Sequence, residues 1–410
     1  MLDPKKLRND FPMFRNKIQM QNKPLVFLDN ASTTFKPDCV LNAIKEYYEF
    51  ETSNSHRGDY DIGYKVDVLI DETRKDVAKL INADVNEVVF TSGTTHSINQ
   101  IAFGYVKKIL QKGDEIILTK AEHASNLLPW FKVAEETGAT LKYVPLDKEG
   151  RVLPENLKKV ISNKTKVVAL AQVSNVLGFI ANIKVIAKIA HEYGAIMVCD
   201  GAQSVPHMKV DVKELDVDFL SFSGHKMCGP TGVGVLYGKF NLLKDMDPLI
   251  LGGGMNATFK SSGDMELLPP PTRFEAGTLN IEGILGFKAA VKYISEIGLD
   301  NIREYEESLR KYAVEKLSKL DNVILYNKNA EAGIISFNVK GTFAQDEATF
   351  LNYKGIAVRS GLHCAKILPE WLNEFATVRV SIYFYTTKED IDYLVDTLEK
   401  GGDFLDAYFA

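Results

Sequence analysis

Cysteine is scarce here: four residues in 410, Cys39, Cys199, Cys228 and Cys364, with no C-x-x-C pair among them. That scatter argues against a disulfide framework and gives no zinc-binding spacing, so no metal site is expected. An excess of positive charge is missing too. The net charge is -5 and basic stretches such as Lys158-Lys159 are brief, so neither nucleic acid nor an anionic membrane is an expected partner. No apolar run approaches the roughly 20 residues that cross a bilayer. Met1 to Asp10 is polar and lacks the apolar core of a secretion signal. Internal repeats and low-complexity tracts are absent. A reducing, cytoplasmic compartment is the resulting expectation. What remains is ordinary globular composition, 45% hydrophobic and 25% charged, in a chain long enough for two lobes that need no covalent staples.

Strand-like and helix-like segments alternate along most of the chain, which predicts an α/β protein with a largely parallel sheet covered on both faces. Glu87-Val88-Val89-Phe90 runs into Thr91-Ser92-Gly93-Thr94-Thr95, with a helical pattern after it through Ile109. Glu115-Ile116-Ile117-Leu118 precedes Lys120-Ala121-Glu122-His123, and Val167-Val168-Ala169-Leu170-Ala171 precedes Ser174-Asn175. Ile196-Met197-Val198-Cys199 ends at Asp200, and Phe219-Leu220-Ser221-Phe222 stands just before Lys226. Polar residues therefore gather past the carboxyl ends of successive strands, the edge where open parallel sheets bind ligands. From about Gly283 to Leu317 the pattern reads as one long helical stretch bridging two lobes. Gly333–Val339, Gln345–Asn352, Ala357–Ser360, Thr377–Tyr383 and Lys388–Leu398 read as a smaller α+β domain.

Asp200-Gly201-Ala202-Gln203 and Ser223-Gly224-His225-Lys226 carry the chemistry. A strand-end carboxylate can keep a pyridinium nitrogen protonated, and a strand-end lysine can form a Schiff base with an aldehyde. Together they fit pyridoxal phosphate; either alone is most often a solvated cap. Gly93-Thr94-Thr95, at a helix start, suits a phosphate through free N–H groups and the helix dipole, or is a plain threonine cap. Ser223 and His225 could add phosphate contacts. His123 could stack on a pyridine ring and move protons, or could be a satisfied core histidine. Gln203 and Asn175 are neutral groups able to hold a phenolic oxygen. Arg379, among apolar strand residues, needs an anion, either a bound carboxylate or an internal partner. Cys364 lies on a flexible segment between two strands, near Arg359, where cations favour a thiolate. Cys199 and Cys228 sit in apolar surroundings and read as packing residues.

Taken together, several stretches resemble the pyridoxal-phosphate-dependent cysteine desulfurases of the Suf and Csd type, in the class-V aminotransferase superfamily. They are Phe27-Leu28-Asp29-Asn30-Ala31-Ser32-Thr33-Thr34, Ser53-Asn54-Ser55-His56-Arg57-Gly58, Val173-Ser174-Asn175-Val176-Leu177-Gly178 and Asp200-Gly201-Ala202-Gln203-Ser204-Val205-Pro206-His207. Ser223-Gly224-His225-Lys226-Met227, Phe274-Glu275-Ala276-Gly277-Thr278 and Arg359-Ser360-Gly361-Leu362-His363-Cys364-Ala365 complete the set. The resemblance implies the type I fold of pyridoxal-phosphate-dependent transferases. That fold has a large domain with a mostly parallel seven-stranded sheet and a smaller α+β domain. The expected limits are 1–26 for an N-terminal segment packing with the small domain, 27–290 for the large domain, and 291–410 for the small domain carrying the cysteine loop.

By the same resemblance Lys226 binds pyridoxal 5′-phosphate covalently, Asp200 pairs with its ring nitrogen and His123 stacks on the ring. Thr94, Thr95, Ser223 and His225 hold the phosphate, with Thr278 reaching in from a second subunit of a homodimer. Gln203 contacts the phenolic oxygen, and Asn175, Arg359 and Arg379 receive the substrate. L-Cysteine becomes L-alanine, and Cys364 keeps the sulfur as a persulfide for an acceptor serving iron–sulfur cluster or other sulfur-compound assembly. Family members using a zinc-containing SufU-like acceptor often have histidine at the position of Gln345. Glutamine is a poor zinc ligand, so transfer without zinc exchange is expected, to a SufE-like acceptor or to a partner that engages differently. Ser92, His96 and Leu279 depart from the family pattern without removing a catalytic group. The same site could act on selenocysteine or cysteine sulfinate. A plain aminotransferase or epimerase would have no use for Cys364, and a non-catalytic relative would be expected to have lost Lys226 or Asp200.

Overall fold

The computed structural model describes residues 2–55 and 58–402. His56 and Arg57, part of one motif quoted above, lie outside the described residues. Seven strands form the central sheet: β1 (Val88–Thr91), β2 (Glu115–Thr119), β3 (Thr140–Val144), β4 (Thr165–Ala171), β5 (Ile196–Asp200), β6 (Phe219–Ser223) and β7 (Gly234–Gly238). Their spatial order is β1-β7-β6-β5-β4-β2-β3. Every neighbouring pair is parallel except those made by β7, which runs antiparallel to β1 and β6. Parallel neighbours need a crossover, usually helical, whereas the connection 224–233 between β6 and β7 holds no helix beyond the turn Gly224–Lys226.

Alternation along the strands feeds two cores. Val168, Leu170, Met197 and Phe222 face a layer containing helices Asp61–Ile81, Ile183–Glu192 and Ile281–Ile297. Val167, Ala169, Val198 and Phe219 face helices Thr94–Ile101 and Leu128–Thr137. Both faces being covered, the inner strands are apolar almost throughout, unlike edge strand β3.

The expected single helix from Gly283 to Leu317 is instead two, Ile281–Ile297 and Leu299–Leu317. The break is Gly298, at φ +89°, a conformation that a side chain would strain. The chain changes cores in the helix after it, between Ile302 and Leu309. Ile284 and Phe287 stay with the large sheet, while Leu309, Ala313 and Leu317 pack with Ile335, Phe337, Val378 and Val380. Those last four belong to an antiparallel sheet ordered Val323–Leu325, Ile334–Val339, Thr377–Ser381, Arg359–Gly361. The strand expected over Ala357–Ser360 also divides. Ile356–Ala357 pairs in parallel with Val26–Phe27, and Arg359–Gly361 pairs with Thr377–Ser381. This division draws the segment after Phe27 between the two sheets, where Asp29 bridges to Ser381.

Candidate active site

A cavity opens at the carboxyl edge of the central sheet, facing the small sheet. It is lined by Thr94, Thr95, His123, Asn175, Asp200, Gln203, Ser223, His225, Lys226, Arg359, Cys364 and Arg379. Among the candidates from the sequence, Thr278 is the exception. It is exposed, and its hydroxyl accepts a hydrogen bond from Asn54 Nδ2 at 3.1 Å.

One end of the cavity is built from neutral donors. Gly93 sits at φ +146°, and a Cβ there would come within 3.2 Å of Ser223 Oγ. The Thr94 N–H donates to Ser223 Oγ (2.8 Å), the two hydroxyls meet at 2.7 Å, and Thr95 Oγ1 lies 2.7 Å from Ser125 Oγ. The N-terminus of helix Thr94–Ile101 thus sits at the cavity wall with hydroxyls around it, a suitable donor set for a phosphate.

The other end holds Asp200 and Lys226. Asp200 is 5% exposed, and burial raises its pKa. The Ala202 N–H, 2.9 Å from Oδ1, and the Lys226 charge oppose that rise. Burial lowers Lys226 to about 8, with Asp200 pulling the other way. The turn carrying Lys226 is fixed from the Asp29–Lys36 segment. The Thr34 N–H, Thr33 Oγ1 and Lys36 Nζ all donate to the His225 carbonyl, at 3.0, 3.0 and 3.2 Å. His123 and His225 are each lowered to about 4, first by burial and then by Lys226, so both rings are neutral near pH 7. His123 Nδ1 accepts from the Ser125 N–H at 3.1 Å, which places its proton on Nε2.

Arg379 is 2% exposed and holds an internal anion: Nη2 bonds Asp29 Oδ1 and Ser32 Oγ (2.9 Å each), and Nη1 bonds the Asn175 carbonyl (2.9 Å). Its Nε has no partner. The arginine therefore has its own ion pair and one donor left over. Gln203 is similar, since Nε2 donates to the Ala31 carbonyl (2.8 Å) while buried Oε1 is unpartnered. In a wall shared with Asp200 and Lys226, the orphaned Arg379 Nε donor suits a carboxylate substrate, and the orphaned Gln203 Oε1 acceptor suits a phenolic hydroxyl on a ring cofactor.

Cys364 is less free than the sequence suggests. Its carbonyl accepts from the Ala124 N–H (2.7 Å), and the His363 carbonyl accepts from Asn175 Nδ2 (2.8 Å). Ala365 and Leu368 are buried with Ala121, Val176 and Leu177 in a small apolar cluster. His363 and Cys364 have φ of +49° and +58°, values uncommon for non-glycine residues that the tethers hold in place. Arg359 Nη2 points at Cys364 Sγ, 3.5 Å away.

The class-V aminotransferase family model matches residues 26–394, the whole stretch that builds this cavity. The chain belongs to the class-V aminotransferase family. Curated relatives within it include probable cysteine desulfurases of Halalkalibacterium halodurans (46% identity; 97% of this chain, 98% of the relative) and Staphylococcus aureus Mu50 (43%; 99% and 98%). Among solved structures, a cysteine desulfurase from Thermococcus onnurineus superposes with a TM-score of 0.92 at 39% identity, covering 98% of both chains. The cysteine desulfurase CsdA of Escherichia coli gives 0.91 at 35% identity, covering 99% of both.

This class-V site also contains residues to which the sequence assigned no role. Ser32 bonds both Arg359 and Arg379 (2.9 Å each), Asp29 pairs with Arg379, and His363 and Ser125 line the cavity. Asp29 and Ser32 stood in a quoted motif, but nothing local marks them as partners of residues more than 300 positions away. Glu122, next to His123, is buried, and the nearby Lys120 pairs with Glu370 instead. Nothing in the sequence around it signals that burial.

Proposed function

We propose that this chain is a cysteine desulfurase, moving sulfur from L-cysteine to Cys364 with pyridoxal 5′-phosphate seated in the cavity. The observation carrying the reading is Cys364 Sγ in the same cavity as Lys226 and Asp200, with the Arg359 guanidinium 3.5 Å from it. An aminotransferase needs the lysine and aspartate but no thiol there. When bound, the cofactor offers an aldehyde to the substrate amine and a ring that draws electrons from the α-carbon.

The chain's own residues do the rest. Thr94, Thr95, Ser223 and His225 take the phosphate, Gln203 the phenolic oxygen, and neutral His123 the ring face. Asp200 holds a proton on the ring nitrogen. Arg379 Nε, with Asn175 and Arg359, orients the substrate carboxylate. Lys226 Nζ, lowered to about 8, can take the α-proton near neutral pH and return one. Cys364 Sγ bonds the substrate sulfur as the carbon–sulfur bond breaks. The carbon keeps the electron pair and is protonated, so alanine leaves and Cys364 retains a persulfide.

A homodimer accompanies this reading, in which Thr278 serves the partner's phosphate. Exposed apolar residues on the hairpin Asn256–Phe259 and Met265–Leu267, with Phe259 76% and Met265 58% exposed, favour a covered face. The proposed domains are 1–26, 27–290 and 291–410, the core changing over between Ile302 and Leu309, past the second limit. The sulfur acceptor is a SufE-like protein, or a SufU-like one that does not exchange zinc at Gln345. Among the described residues no helix is long and apolar enough to cross a membrane, and a cytoplasmic location is proposed. Alanine formed from L-cysteine, with and without a reductant, tests the assignment. Turnover that persists unchanged in Cys364→Ala would remove the persulfide step.

A further inference from the structure

The segment leaving β2 does three jobs. It carries His123, its Ala124 N–H holds the Cys364 carbonyl, and Ser125 meets Thr95. What holds the segment itself is Glu122, 2% exposed. Glu122 Oε2 accepts from Asn126 Nδ2 (2.8 Å) and from the Ala171 N–H at the end of β4 (2.9 Å). Glu122 Oε1 lies 2.8 Å from Thr119 Oγ1. The Asn126 amide cannot flip, because its oxygen accepts from Trp130 Nε1 at 2.9 Å. Both partners of Oε2 are therefore fixed donors, while the Thr119 hydroxyl can donate or accept.

We propose that Glu122 is a positioning residue acting as a neutral acid. Its proton sits on Oε1 toward Thr119, its Oε2 ties the His123 segment to β4, and Asp200 is left as the lone buried negative charge under the ring site. The surroundings agree. Among the described residues no cation pairs with Glu122, and an unpaired buried carboxylate is costly. The titratable groups facing it come from β5. They are Cys199, itself raised by burial, and Asp200, whose charge opposes a second one. From its own segment, Lys120 is turned outward to Glu370 (3.1 Å). Burial lifts Glu122 to about 8, against the hydrogen bonds from Asn126, Thr119 and the Ala171 N–H and with Asp200 adding to the rise. Two carboxyl groups pushed apart in this way can take different roles.

The role of Asp200 rests on the function proposed above, but the protonation of Glu122 can be read without turnover. In Glu122→Gln the amide donates to Thr119 and the carbonyl keeps both fixed donors, so the variant mimics the acid. Difference infrared spectra of the two holoproteins near neutral pH should show a protonated-carboxyl stretch only in the unaltered chain. Glu122→Gln should retain the parental KM, kcat and pH midpoint of the visible cofactor band. Glu122→Ala should lower kcat about ten- to a hundredfold and shift that midpoint. The acid binds its proton more tightly folded than unfolded, so it loses stabilising effect as pH rises from 4.5 to about 8. Melting of Glu122→Gln relative to the parent should rise across that window. Absence of the acid band, a Gln variant as impaired as the Ala variant, or an Ala variant with parental kcat would overturn the inference. If Glu122→Ala does not fold, the infrared band and the Gln variant still decide. A parent that makes no alanine from L-cysteine would count against the proposed function and leave the infrared result standing.

Discussion

Arg379 carries two loads, an internal pair with Asp29 and a place in the cavity wall with its Nε unpartnered, so its removal should be felt twice. Arg379→Ala is expected to cost about 2–5 kcal/mol in kcat/KM, because Asp29 is left without its cation as the substrate loses a donor. Steady-state kinetics on L-cysteine would measure it, and a loss under 1 kcal/mol would show that Nε meets nothing. Lys226→Ala should abolish the yellow band of the loaded protein together with alanine formation. Cys364→Ala should keep the band and lose sulfur transfer, and equal loss of cofactor would mark Cys364 as structural. Residues such as Lys226, Asp200 and His123 were legible because strand ends announce them. Ser32, Asp29 and Glu122 were not, since their partners are joined only by the fold.

Among the elements, the inner strands of the large sheet could be read from apolar runs too continuous for a solvent-facing surface, while the edge strand Thr140–Val144, with its polar, partly exposed residues, was missed. The helix break at Gly298 and the divided strand at Ile356 were missed for a shared reason. A helical pattern does not record a change of core, and a strand pattern does not name its partner. The cysteine loop gave the opposite error, looking flexible because its anchors, Ala124, Asn175 and the apolar cluster, lie far off in sequence. Leu368→Ala, which opens a gap in that cluster, should cost about 2–5 kcal/mol of stability. Sulfur transfer should fall more than formation of the cofactor band. Denaturant unfolding and single-turnover persulfide labelling would separate these effects, and a parental transfer rate would show the loop holds without its anchor.

For the molecule as a whole, three imidazoles, His363 buried and His123 and His225 half-buried, give acid a clear point of attack. His123 and His225 are lowered to about 4 and His363 to about 3, mainly by burial. Below pH 6.5 the unfolded chain takes protons that the fold refuses, so stability should fall with pH between 6.5 and about 4. Melting temperatures of the parent and of His123→Asn/His225→Asn would test this, the double variant showing a shallower acid slope. Sedimentation should give a homodimer, and a fully active monomer carrying its cofactor would contradict the assignment of Thr278 to a partner.

The bond from the Ala124 N–H to the Cys364 carbonyl reaches past the chemistry. If Cys364 takes up sulfur as proposed, the atom sits on a tethered turn with no swinging arm, and the enzyme would not carry its product outward. Whatever collects the atom must bring its own reach, with a thiol on a projecting finger narrow enough to enter beside Arg359. Delivery is thus a problem handed to the recipient, and recipients with blunt surfaces should be turned away by shape before affinity has a say.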